Sequence, residues 1–139
     1  MLTRSEIIFN CKIAARGAGY SWGLASDAAA ATLALIEAGE DGFGALIEIL
    51  EFAENKAQPL NIENGEPICG LTLGAYRADL GISDEIPNDV VGSAITQALT
   101  SNLAKGHARP DQIPQEVLDF FQKALVPESD VSRRGAGEA

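Results

Sequence analysis

Apolar residues return every three or four positions through most of this chain, and nearly every stretch that carries the repeat is closed by a glycine. Ile7, Ile8, Cys11, Ala14, Ala15 and Ala18 fall on one helical face, Leu24, Ala28, Ala31 and Leu35 on a second, and Phe43, Leu46, Ile47, Leu50 and Ala53 on a third. A chain with that period folds as packed helices. Of its 139 residues 46% are apolar but only 6% aromatic, so the core is to be built from alanine, leucine and isoleucine, and alanine faces let helix backbones come close. The length suits one domain with a single core and no need of disulfide or metal staples.

Local signals set the expected elements. Thr3 and Glu6 form a reciprocal cap at the start of a helix that Gly17 should end. Ser21 caps a second helix running to about Ala38, with Gly39 as its stop, and a third covers Gly42 to Asn55 with Glu48, Glu51 and Glu54 outward. From Gln58 to Leu73 the pattern turns to alternation about Asn64-Gly65, which reads as a short β-hairpin, although Pro67 and the facing Glu63 and Glu66 weaken it. A short helix from Thr72 to Leu80 follows. Asn88 then caps a central core helix through Val90, Val91, Ala94, Ile95, Ala98, Leu99 and Leu103, and a last helix runs from Pro114 to Leu125. The expected fold is therefore mainly α: a compact bundle of five or six helices with one short β-hairpin, forming a single domain over 1–126. The segment 127–139 has no periodicity and reads as a disordered tail.

Charge and composition exclude several functions. The formal net charge is -10 and no basic stripe is present, which argues against nucleic-acid binding. No stretch approaches the roughly 18 apolar residues of a membrane span, and the N-terminus does not read as a secretion signal. The two cysteines, Cys11 and Cys69, are far apart and read as buried, reduced thiols of a cytoplasmic protein. The charge is uneven: acidic residues dominate from Glu37 to Glu66, whereas Arg4, Lys12 and Arg16 outnumber Glu6 in the first sixteen residues. This is the pattern of a solvated acidic face, or of surfaces that attract a basic partner or a second subunit.

Special chemistry is densest in Ala14–Gly23, AARGAGYSWG, which holds a guanidinium, three glycines, a tyrosine and the only tryptophan. Two readings stand side by side. In one, Gly17 and Gly19 shape a helix-helix corner while Tyr20 and Trp22 plug the end of the core. In the other, the amides from Gly17 through Ser21, with Arg16, Tyr20 and Trp22, bind an anion at the start of the second helix. The loop follows a helix and lacks the ending of a phosphate loop, so the corner leads. Elsewhere, His107 reads as an exposed loop histidine, Cys69 as a buried thiol, and Glu48, Glu51 and Glu54 as solvated carboxylates in preference to a site for a hard cation. Asp79 reads as a surface ion-pair partner of its neighbours. No catalytic residue, metal or cofactor is assigned.

The run AARGAGYSWGLA, between a capped helix and an alanine-rich one, resembles the N-terminal signature of a bacterial family classed only as a domain of unknown function. The resemblance covers about the first forty residues and implies a bacterial, cytoplasmic protein. It draws interest to Arg16, Gly17, Gly19, Tyr20, Trp22 and Gly23 and supplies no activity. The expected function is a non-catalytic interaction or accessory protein, as a homo-oligomer or with a protein partner. The alternative is a binding protein or enzyme for an anionic metabolite using the glycine-rich loop from Arg16 to Ser21.

Overall fold

The computed structural model describes residues 1–55, 68–82 and 85–125. Six helices, α1 (Arg4–Ala18), α2 (Trp22–Glu37), α3 (Gly42–Asn55), α4 (Gly70–Leu80), α5 (Ser93–Thr100) and α6 (115–125), account for most of them. A two-residue strand β1 (Ile68–Cys69) pairs with β2 (Val90–Val91). The architecture is mainly α.

Helix starts follow the local chemistry. The Thr3 hydroxyl accepts from the Glu6 amide at 3.0 Å, and the Glu6 carboxylate accepts from the Thr3 amide at 2.9 Å. Ser21 caps α2 by accepting from the Leu24 amide, and the Pro114 carbonyl accepts the first amides of α6. The expected bounds of α3 hold to the residue.

α2, rather than the helix near residue 95, is the hub. It touches α1, α3, α4 and α5, and its buried positions are mostly alanine: Ala25, Ala28, Ala29 and Ala31. Short side chains let several neighbours crowd one helix, while Leu35, Ile36, Leu46, Ile49 and Leu50 fill the space between them.

Three expectations are corrected. Gly17 does not end α1. It lies inside the helix, where α6 crosses so closely that a Cβ would collide with the Phe120 carbonyl. The helix ends at Gly19, which takes the left-handed conformation at φ 110°. The helix expected from Asn88 to about Lys105 is only Ser93–Thr100, because Val90 and Val91 form β2 and the chain turns at Gly92. Finally, most of the hairpin expected over 58–73 lies outside the described residues. Within them, Ile68–Cys69 pairs in parallel with Val90–Val91, and α4 starts at once and makes the crossover that a parallel pair requires. The tail expected at 127–139 also lies outside the described residues.

Candidate functional site

The corner between α1 and α2 is built by a cap that consumes the loop amides. The Gly19 amide donates to the Ala15 and Arg16 carbonyls and the Tyr20 amide to the Ala15 carbonyl at 3.1 Å. Arg16 Nη1 donates to the Tyr20 carbonyl at 2.8 Å, fixing the turn from the side. The chain then places its two aromatic residues on opposite sides of the surface.

Tyr20 points inward and is buried. Its hydroxyl lies 3.2 Å from the Ile49 carbonyl and 3.0 Å from Cys69 Sγ. With the hydroxyl proton on Ile49, the Cys69 thiol donates to the hydroxyl oxygen, so the α1–α2 corner, α3 and β1 meet in one polar chain. Burial first, and then the neighbouring thiol, push the Tyr20 phenol well above its ordinary range.

Trp22 does not plug the core. As the first residue of α2 it turns outward and is 54% exposed. The Arg16 guanidinium lies 4.7 Å and the Lys12 ammonium 5.5 Å from its ring centroid, within cation-π range. Lys12 and Arg16 are one helical turn apart, and Phe9, 57% exposed, precedes Lys12 by three positions on the same face of α1. Phe9 meets Phe121 of α6 edge-on at 5.8 Å. The result is a surface stripe in which the exposed Phe9 and Trp22 flank the half-buried Lys12 and Arg16. Among the described residues, neither Lys12 nor Arg16 forms a salt bridge with a carboxylate.

Of the residues expected to bind an anion, then, Arg16 and Trp22 are brought together at the surface beside the exposed Ser21. Gly17 is helical, Gly19 and Tyr20 have engaged amides, and the Tyr20 side chain is internal. The remaining candidates are dispersed. Cys11 and Cys69 are fully buried, and burial pushes the Cys11 thiol up to about 12. His107 is exposed. Glu48 and Glu51 are exposed, and Glu54 pairs with Lys123 of α6. Asp79 lies near Asp27, and among the described residues it forms no ion pair. Partial burial, and secondarily Asp79, hold the Asp27 carboxyl above its ordinary range. Among the described residues no group of three or more His, Cys, Asp or Glu side chains is arranged to hold a metal ion, and no helix is long and apolar enough to cross a membrane.

Glu37 was missed. It is a buried acid at the end of α2, and Arg4 contacts it twice, Nε to Oε2 at 2.7 Å and Nη2 to Oε1 at 3.0 Å, while Arg109 Nη1 reaches Oε2 at 3.4 Å. The partners stand 33 and 72 positions away in the chain, so no local pattern marks them.

No curated protein and no solved structure matches this chain. A family model described as a protein of unknown function, DUF3726, matches residues 2–134, nearly the whole length, and this protein belongs to that family.

Proposed function

We propose that this protein is a non-catalytic, cytoplasmic interaction protein that docks an acidic segment bearing apolar side chains on the stripe of Phe9, Lys12, Arg16 and Trp22. The observation that carries this reading is the exposed Trp22 ring flanked by two cations that no carboxylate neutralises among the described residues. Tryptophan and arginine are the residue types that most often dominate interface energetics. An exposed indole that already holds a guanidinium offers a partner both apolar area and a positive charge. In a chain of net charge -10, such a local positive patch sets the orientation of approach and selects for acid at the contact.

The partner is a second protein, or a second copy whose exposed Glu48 and Glu51 offer the same chemistry. An anionic metabolite would also suit Arg16, but the engaged amides of Gly19 and Tyr20 leave the loop short of the converging donors such a ligand requires. This favours the protein contact. The two buried thiols fit a reducing compartment.

Site-specific photo-crosslinking in the source cell tests the reading, with the label at Trp22 and a control label at Glu51. The expected result is an adduct from position 22 that maps to an acidic segment and disappears in Arg16→Glu. No adduct beyond the control, a basic captured segment, or an adduct that persists in Arg16→Glu would contradict it.

A further inference from the structure

At the other end of α1, about 18 Å along the helix axis from Arg16, lies a second concentration of cations with a different geometry. An open cleft of about 530 Å³ is lined by Arg4 from α1, Glu37 from α2, and Lys105, His107 and Arg109 from the irregular segment between α5 and α6. That volume is in the range of metabolite sites.

The cleft is built rather than incidental. The His107 amide donates to the Glu37 carbonyl at 3.0 Å, the Leu2 amide to the Pro110 carbonyl at 2.8 Å, and Arg109 Nε to the Leu2 carbonyl at 2.8 Å. These bonds tie the irregular segment to the start of α1 and the end of α2. The His107 imidazole rests against Gly39, where a Cβ would come within 2.8 Å of Nε2.

Glu37 holds both guanidiniums in place. Its carboxylate is pulled below the ordinary range, first by the hydrogen bond from Arg4, so it stays charged. One negative charge nevertheless faces three positive ones: Arg4, Arg109 and Lys105. Each guanidinium has five N–H donors, and among the described hydrogen bonds Arg4 and Arg109 each use two. The Lys105 ammonium has no partner among the described residues. Of the other nearby acids, Asp111 is engaged by the Met1 amine, and Glu40 and Asp41 line the adjoining hollow beyond His107. The cleft itself keeps an excess of about two positive charges and a set of oriented, unused donors.

We propose that this cleft is a binding site for a compact dianion, a phosphate or dicarboxylate group, held by Lys105 and by the free edges of Arg4 and Arg109, with Glu37 as the positioning residue that orients the two arginines. Guanidiniums preorganised by a shared carboxylate lose little freedom on binding and present the planar fork that oxyanions match. The site is independent of the Trp22 stripe.

Calorimetric titration of the full chain with inorganic phosphate and with succinate, at matched ionic strength in chloride, distinguishes the two sources of the charge. Saturable binding of at least one probe is expected. Lys105→Gln removes an exposed side chain with no described structural contact, and it should weaken that binding roughly tenfold. Arg77→Gln, on α4 and outside the cleft, should leave it unchanged. Absence of saturable heat with both probes, or equal affinity in wild type and Lys105→Gln, would overturn the proposal. Glu37→Gln adds a second check: the variant is expected to lose probe affinity as the arginines lose their orientation, with the circular dichroism spectrum confirming that it is folded. Retained affinity in folded Glu37→Gln would remove Glu37 from the positioning role.

Discussion

The hydroxyl of Tyr20 lies 3.0 Å from the sulfur of Cys69, 49 positions away in the chain. Together with the Ile49 carbonyl, this contact pins the corner between α1 and α2 to the centre of the fold. Tyr20→Phe keeps the ring and leaves both partners buried without it. The expected cost is about 1–2 kcal/mol, measured by urea unfolding, with an unchanged circular dichroism spectrum. A variant as stable as wild type would show that the polar chain contributes nothing.

Two glycines that flank Tyr20, Gly17 and Gly23, behave oppositely. At Gly17 a Cβ collides with the Phe120 backbone, whereas at Gly23 it meets nothing within 4 Å. Gly17→Ala should therefore destabilise by about 1–3 kcal/mol, the cost of overpacking. Gly23→Ala, inside α2, should be neutral or slightly stabilising through helix propensity. Thermal unfolding of the two variants side by side checks the α1–α6 crossing, and equal effects would refute it.

Asp27 and Glu37 give stability opposite dependences on pH. The Asp27 carboxyl is raised in the folded state, so its ionised form opposes folding and Asp27→Asn should stabilise at pH 7. The expected gain is about 0.2–1 kcal/mol, vanishing as acid protonates the wild-type residue. Glu37 is depressed in the folded state, so its contribution is complete above the unfolded carboxylate value of about 4.3 and is lost as the pH falls through its lower folded value. Glu37→Gln should destabilise near neutrality and lose part of the acid-limb dependence. Denaturant midpoints across the acid range test both signs.

Cys11 and Cys69 are both inaccessible. Neither thiol should react with a disulfide reagent until the chain unfolds, at which point both should react together. Fast reaction of either in native protein would contradict the burial of the α1 face or of β1.

What the sequence revealed and what it hid divide along chain distance. The cap at Thr3 and Glu6, the Ser21 cap and the span of α3 were legible because their chemistry lies within a few residues. The stop expected at Gly17 is displaced to Gly19, and the reason Gly17 must be a glycine, the backbone of Phe120, lies over a hundred residues later. Val90 and Val91 continue the apolar stripe of α5 in sequence, and periodicity alone cannot tell a short buried strand from a helical turn. Only pairing with Ile68 and Cys69 separates them. In the candidate site, Arg16 and Trp22 are near enough in AARGAGYSWG to meet across the corner between α1 and α2. The outward turn of Trp22 and the inward turn of Tyr20 depend on the local cap together with the distant Ile49 and Cys69. The cluster about Glu37 left no local trace.

Trp22 is the sole tryptophan, so its fluorescence reports on the proposed docking stripe alone. The most direct measurement is a titration with a peptide rich in glutamate and phenylalanine, against a lysine-rich peptide of equal length. The proposed function predicts a saturable change in Trp22 emission with the acidic peptide only, abolished in Arg16→Glu. An emission that stays constant, or changes equally in Arg16→Glu, would contradict it.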